Sequence, residues 1–144
     1  MAGDRPVSYL LDTNVISELR KGRHGHPSLM TWWSGVNSVD VYLSVMVLGE
    51  IRHGIERLRL RDADRARELE AWLEAVASAF GARVLGVTPA VADAWGRMGV
   101  RRSVPLVDSL LAATAIVNDL VLVTRNTRDI QATGARYLDP FESI

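Results

Sequence analysis

The sequence predicts an α/β fold of three layers, with a parallel sheet of four to five strands between two layers of helices. Short apolar runs rich in β-branched residues alternate along the chain with longer segments of helical periodicity. No Asn-Gly or Asp-Gly pair, the usual turn of an antiparallel hairpin, separates these runs. Helical crossovers therefore connect the strands, which makes the strands parallel.

Length and composition indicate one folded domain over residues 1–144. The apolar fraction of 48% and the charged fraction of 24% are those of an ordinary globular protein, and no repeat or Pro/Ser-rich linker divides the chain. No apolar stretch approaches the ~18 residues that cross a membrane, and the N-terminus does not resemble a signal peptide, so we expect a cytoplasmic protein. Because cysteine is absent, any metal must be bound by oxygen or histidine.

The first elements are predicted to be a strand, a helix and a short second helix. Residues 7–11 are a β-prone apolar run that ends at Asp12, and residues 14–21 show helical periodicity that stops at Gly22. Pro27 stands where a first helical residue is expected, so it predicts the start of the next helix.

A second strand and two helices follow. Residues 40–44 alternate as a strand does, and Ser44 is a suitable cap for the helix that carries Glu50. Residues 62–80 form the clearest amphipathic helix in the chain. Its apolar face is predicted to contain Leu69, Trp72, Leu73, Val76 and Phe80.

The remaining elements continue the alternation. Thr88 and Pro89 are a cap and a first-turn proline, and Pro105 opens another helix. The predicted elements are a strand at 82–87, a helix from 89 through 95, a helix from 105 to 118, a strand at 120–124 and a short edge strand at 136–138.

Four acidic residues are the candidate functional groups. Asp12, Glu50 and Asp108 lie in apolar segments, whereas Asp129 lies in a polar loop after the fourth predicted strand. Burial of a carboxylate costs several kcal/mol unless a cation or strong donors meet it. Either distant arginines pair with Asp12, Glu50 and Asp108 separately, or the three share a divalent ion, which explains all of them at once. Taken singly, each has an ordinary explanation: a helix cap for Asp12, a favourable helix-dipole charge for Asp108, and solvent exposure for the other two.

The predicted topology brings these carboxylates to one place. Ligands of open α/β sheets bind beyond the carboxyl ends of the strands, and Asp12 and Asp129 both follow predicted strands. Asp108 lies near the start of its helix, which faces the same edge. All-oxygen ligation is typical of Mg²⁺ or Mn²⁺.

The tryptophans and histidines are given structural interpretations. Trp72 and Trp95 are expected in the core. Trp32 and Trp33 are adjacent and cannot both face inward, so one of them is expected at an interface with a partner. The three histidines are too scattered for a zinc site and are expected in loops or on the surface.

Other α/β classes lack their defining residues in this chain. There is no second acid next to Asp12 and no suitably placed lysine, as a receiver domain requires, and Asn14 stands where an aspartyl phosphatase has its second acid. Neither a G-x-G-x-x-G loop nor a Gly-Lys-Ser/Thr loop follows the first strand, which argues against dinucleotide-binding and P-loop folds.

Four segments of the chain resemble PIN-domain ribonucleases of the VapC toxin type, on the branch that includes FitB-like proteins. The resemblance covers nearly the whole chain, and Ile130 departs from it where many relatives have an aromatic residue. The segments are LLDTNVISEL at 10–19, residues 44–54 around Gly49-Glu50-Ile51, PLVDSLLAATA at 105–115 and VTRNTRD at 123–129.

The resemblance implies a homodimeric endoribonuclease that depends on Mg²⁺ or Mn²⁺ and is neutralised by a small VapB-like antitoxin. Its four acidic positions correspond to Asp12, Glu50, Asp108 and Asp129. Its supporting polar positions correspond to Thr13, Asn14, Thr124 and Asn126.

These residues suggest a mechanism for hydrolysis of RNA by metal-activated water. We expect Asp12 and Asp108 to bind the principal ion, and Glu50 and Asp129 to act through water or to complete a second ion site. Arg125 is a candidate phosphate contact. The alternative is a catalytically inactive PIN-fold binding module, and the sequence does not exclude DNA as a substrate.

Overall fold

The computed structural model describes residues 6–98 and 104–142, and it contains a five-stranded sheet. The strands are β1 (Tyr9–Leu11), β2 (Val41–Ser44), β3 (Val84–Leu85), β4 (Val121–Val123) and β5 (Tyr137–Leu138). All neighbouring pairs are parallel, in the order β3-β2-β1-β4-β5. The predicted parallel sheet is confirmed, and the first strand of the chain lies at its centre.

Seven α-helices connect or follow the strands within the described residues. They are α1 (Thr13–Leu19), α2 (Pro27–Ser34), α3 (Val45–Arg59), α4 (Ala63–Phe80), α5 (Pro89–Arg97), α6 (Leu106–Val117) and α7 (Thr127–Ile130). Short 3-10 turns lie at Gly22–His24, Ser38–Asp40, Gly81–Arg83 and Gln131–Thr133. None of these helices combines the length and the apolar character that crossing a membrane requires.

Both faces of the central strands are covered, which confirms the three-layer arrangement. Successive residues of a strand point to opposite faces of the sheet. Leu10 and Leu11 of β1 are both fully buried, as are Leu122 and Val123 of β4. The core therefore continues through the sheet from one helical layer to the other.

The helix starts agree with the capping residues that the sequence contains. The Ser44 hydroxyl accepts a hydrogen bond from the Met46 backbone N–H at 3.0 Å, and the Thr88 hydroxyl accepts one from the Val91 N–H at 3.2 Å. Pro105 differs slightly from its prediction, because it is the residue before α6 and not its first helical residue.

Two local predictions were wrong about secondary structure. Within residues 82–87 only Val84–Leu85 pairs as a strand, because the 3-10 turn Gly81–Arg83 takes the beginning of that segment. Asp129 lies in the short helix α7 and not in an irregular loop. A helix of four residues is too short to produce a hydrophobic period.

One prediction about a tryptophan was also wrong. Trp95 is 42% exposed, and its indole N–H donates to the Ser109 hydroxyl at 2.9 Å, so the ring lies across the surface of α6 and not in the core. Trp32 and Trp33 are both half-buried and both pack against the core, and the interface expected for one of them stays a prediction. The prediction that Trp72 joins the core agrees with its packing there.

Candidate active site

Asp12 occupies the centre of the candidate site, directly after β1 and before α1. Its carboxylate is 4% exposed. Oδ1 accepts a hydrogen bond from the Thr13 backbone N–H at 2.6 Å, and Oδ2 accepts from the Thr124 hydroxyl at 2.7 Å and from the Asn14 amide at 3.4 Å. The Asp12 N–H donates to the Val123 carbonyl at 2.9 Å. Asp12 is thus both the N-cap of α1 and a buried carboxylate at the carboxyl end of the central strands.

The loop after β4 is hydrogen-bonded to Asp12 and to the start of α1. The Thr124 hydroxyl, which donates to Asp12, accepts a hydrogen bond from the Asn126 backbone N–H at 3.0 Å. The Asn14 side-chain oxygen accepts one from the Arg125 N–H at 3.3 Å. The bonds from Thr124 to Asp12 and from Arg125 to Asn14 join residues more than a hundred positions apart, so they fix the β4 loop against the start of α1.

Glu50 reaches the site from α3, but it is exposed. We expected it to be buried from its apolar neighbours in sequence, and that expectation was wrong. Val47 and Ile51 are buried on the inner face of α3, whereas Glu50 projects from another face. The Thr13 hydroxyl donates to Glu50 Oε1 at 2.6 Å, which joins α3 to α1 at this point.

Asp108 shows that the four carboxylates belong to one electrostatic environment. Removal from water, the largest cause, and then the negative charges of Asp12, Asp129 and Glu50 together raise the pKa of Asp108 to about 6. Asp108 lies in the first turn of α6 and is half-buried. The structure therefore brings the other three predicted carboxylates within electrostatic range of Asp108.

The pKa of Asp12 is set by opposing effects, and the net result is a pKa above its usual range. Burial, the largest effect, and the charge of Glu50 raise the pKa. The hydrogen bonds from Thr124, Thr13 and Asn14 lower it. The cost of burying the Asp12 carboxylate thus exceeds what its three hydrogen bonds return, and the charge of Glu50 adds to that cost.

A cavity of about 740 Å³ opens over these groups. Asp12, Glu50 and Asp108 line it, together with Thr13, Asn14 and Asn126. Asp129 is not among its lining residues, so it acts on the cavity through its charge on Asp108 and not through direct contact. Three of the four predicted acids, and three of the four supporting polar residues, therefore face one space.

The basic side chains that line the cavity are not the one that the sequence suggested. The Arg125 guanidinium lies 4.2 Å from the centre of the Phe141 ring, and Arg125 is not among the lining residues. His53 and Arg57 do line the cavity, on α3. The sequence contained a sign of this, since both follow Glu50 at helical spacings of three and seven residues.

The residues fit a divalent cation in donor chemistry. Every predicted ligand is a carboxylate, and hard cations such as Mg²⁺ and Mn²⁺ prefer oxygen. In residues 6–98 and 104–142, no lysine or arginine forms an ion pair with Asp12, Glu50 or Asp108, so their charge lacks a protein counter-ion there. The same residues contain no group of three or more acidic or histidine side chains already close enough to enclose an ion.

Comparisons with known proteins agree with this geometry. The PIN domain family matches residues 9–135. "Plasmid stability protein StbB" of Pseudomonas syringae pv. tomato is 30% identical over 93% of this chain and 99% of its own. "VapC ribonuclease Y4jK" of Sinorhizobium fredii is 29% identical over 92% and 97% of the two chains, and "Toxin FitB" of Neisseria gonorrhoeae is 28% identical over 92% and 97%.

A solved structure gives the same result in three dimensions. A chain of the crystal structure of FitAcB from Neisseria gonorrhoeae superposes with a TM-score of 0.83 at 27% identity, covering 94% of this chain and 99% of that chain. The resemblance inferred from the four sequence segments is confirmed. With residues 9–135 matched, the parallel sheet in place and the acids at its carboxyl edge, this chain belongs to the PIN domain family.

Proposed function

We propose that this chain is the toxin of a toxin–antitoxin pair and acts as a Mg²⁺- or Mn²⁺-dependent endoribonuclease. The observation that supports this most is the cavity lined by Asp12, Glu50 and Asp108, none of which forms an ion pair with a lysine or arginine among the described residues. Asp12 is buried and Asp108 half-buried, and carboxylates removed from water in this way are costly unless a cation joins them. Two relatives are named a VapC ribonuclease and a toxin, which supports RNA as the substrate and a toxin as the role.

Asp12 and Asp108 are the proposed principal ligands of the cation. Asp12 is held rigidly by three donors, and Asp108 projects from the first turn of α6, where the helix dipole favours a negative charge. Mg²⁺ or Mn²⁺ bound there would supply positive charge to the phosphate oxygens and make water a better nucleophile. The negative charge of Asp129 would act on the ion through its effect on Asp108.

Glu50 is the proposed acceptor of the proton from the attacking water. Its Oε1 is held by the Thr13 hydroxyl at 2.6 Å, which leaves Oε2 to take that proton. Glu50 is exposed at the cavity, so water and substrate can both reach it. Attack by water on phosphorus would leave a 5′-phosphate and a 3′-hydroxyl.

A small antitoxin and a second copy of the chain are the proposed protein partners. One solved relative is a chain of a FitAcB structure. The antitoxin would block the cavity until it is removed. The other candidate function is a PIN-fold module that binds without catalysis. The presence of all four acids favours the enzyme.

Cleavage of RNA by the purified chain tests the proposal. We expect single-stranded RNA to be cut in the presence of Mg²⁺ or Mn²⁺ and left intact in EDTA. Asp12→Asn and Asp108→Asn should keep the fold, seen by circular dichroism, and lose cleavage. Asp93→Asn is the matched control, because Asp93 is exposed on α5 and bonds Arg97. Wild-type rates in both site variants would contradict the assignment, and sequencing of the 5′ ends of cellular RNA would identify the substrate.

A further inference from the structure

The helix α3 forms one wall of the active-site cavity through residues on a single face. Glu50, Gly54 and Arg57 all line the cavity, and their spacings of four and three residues put them in one row. At a rise of 1.5 Å per residue, Arg57 lies roughly 10 Å along the helix from Glu50. This row therefore has the carboxylate of Glu50 at one end and the positive charge of Arg57 at the other.

Arg57 differs from its arginine neighbours on α3. Arg52 forms ion pairs with Glu56 and Glu70, and Arg59 binds the same two acids. Arg57 is exposed, and no side chain or carbonyl in the described part of the chain bonds to its guanidinium. Its charge is thus available to a ligand in the cavity.

Gly54 keeps the same wall open. A Cβ added there would meet nothing within 4 Å, so no neighbour in the fold requires glycine at this position. Glycine inside a helix destabilises it relative to alanine, and packing does not account for that cost here. The missing side chain leaves space for a ligand to lie directly against the backbone of α3.

We propose that Arg57 binds a phosphate of the RNA strand next to the one that is cut, with the strand lying along α3 over Gly54. This inference rests on the proposed ribonuclease function and names a substrate contact for it. RNA is a polyanion, so positive charge is needed near the carboxylates of the cavity for it to bind there. A guanidinium without a protein partner can bind phosphate through two hydrogen bonds. The same face could take a protein partner, and the test below separates the two.

Arg57→Gln tests the phosphate contact. We expect KM for a mixed-sequence single-stranded RNA to rise roughly tenfold with kcat little changed, as for the loss of a charge-assisted hydrogen bond. RNA affinity should also depend less steeply on salt, by about 0.7 in the logarithmic slope for one phosphate of a single strand. Arg61→Gln is the matched control: it removes the same charge from an exposed arginine that does not line the cavity.

Gly54→Ala tests the open wall and has opposite effects on stability and binding. The added methyl group should raise Tm, because alanine favours the helix, and should weaken RNA binding, because it fills the path of the strand. Gly96→Ala in α5 is the control: Gly96 also has open space around its Cβ position and lies outside the cavity lining. It should raise Tm and leave RNA binding unchanged.

The outcomes distinguish this inference from the proposed function. If the wild-type chain binds and cuts RNA, but Arg57→Gln and Gly54→Ala do so with wild-type KM and salt dependence, the inference is overturned and the function stands. Impaired binding of a protein partner with unchanged RNA kinetics would likewise overturn it. If the wild-type chain neither binds nor cuts RNA with Mg²⁺ or Mn²⁺ present, the proposed function fails first.

Discussion

Asp12 shows how one residue serves the fold and the site together. As the N-cap it satisfies the start of α1, and as a buried acid it receives the Thr124 hydroxyl from the far end of the chain. The same hydrogen bonds that make the cap favourable also stabilise the charged form, in opposition to burial. The cost of burying the carboxylate is thus partly offset by bonds that fix its position.

Asp108 gives a prediction about stability and pH in metal-free protein. A folded-state pKa of about 6 against 3.8 means that the native state holds this proton more tightly than the unfolded state. The charge of Asp108 therefore destabilises the fold fully above about pH 6, and this cost disappears as the pH falls to about 3.8. Asp108→Asn removes it.

Urea unfolding in EDTA measures this effect. We expect Asp108→Asn to exceed the wild type in free energy of unfolding by on the order of 1 kcal/mol at pH 7, after allowance for solvent screening at a half-buried group. The advantage should shrink to nothing near pH 4. A variant that is less stable than the wild type at pH 7, or an advantage that grows toward acid, would contradict the assignment of the raised pKa.

Residue identity was predictable from the sequence, but exposure was not. All four acids were identified from their neighbours, yet Glu50 is exposed although apolar residues surround it in sequence. In a helix, adjacent residues point about 100° apart, so Val47 and Ile51 face the core while Glu50 does not. Arg57 was missed although its spacing of seven residues from Glu50 places it on the same side of α3, because that spacing alone does not distinguish a cavity arginine from a solvated one.

At the scale of elements, the α3–α4 hairpin supports the wall of the cavity. Glu70 of α4 binds both Arg52 and Arg59 of α3, and Glu56 binds the same two arginines. These bonds hold the charge of Glu70 in its ionised form, with a pKa below its usual range. The hairpin is thus linked by a network on its surface side as well as by apolar packing.

Glu70→Gln should weaken this hairpin. We expect the free energy of unfolding to fall slightly, since the groups are partly exposed but form a network and not an isolated pair. The loss should be smaller at high salt. Glu68→Gln is the control, because Glu68 is more exposed and pairs with Arg65 one turn away. Equal, salt-independent losses in both variants would show that the network adds nothing.

Elements with strong periodicity or clear caps were predicted closely, and so was the short edge strand β5, but two other short elements were not. The amphipathic helix expected at 62–80 is α4, with Asp62 as its cap. The strand expected at 82–87 is reduced to Val84–Leu85, and α7 was not predicted. The extent of β3 depends on tertiary pairing, and α7 is too short to produce a hydrophobic period, so no local pattern contains either.

At the scale of the molecule, the order of the strands creates the site. β1 lies between β2 and β4, so the residues after β1 and β4 meet at one edge. The starts of α1 and α6 come to the same edge, and α3 runs alongside it. The sequence indicated parallel strands and a shared edge, but it did not determine which strands are neighbours.

The central claim is that carboxylates from separate elements act as one divalent-cation site. Calorimetric titration of Mn²⁺ into the wild-type chain, Asp12→Asn, Asp108→Asn and the Asp93→Asn control tests it most directly. We predict that the wild type and the control bind Mn²⁺ alike, and that each site variant binds at least ~10–100-fold more weakly, the loss seen when even a supporting partner of a metal ligand is removed. Equal affinity in all four proteins, or no binding to the wild type, would contradict the account.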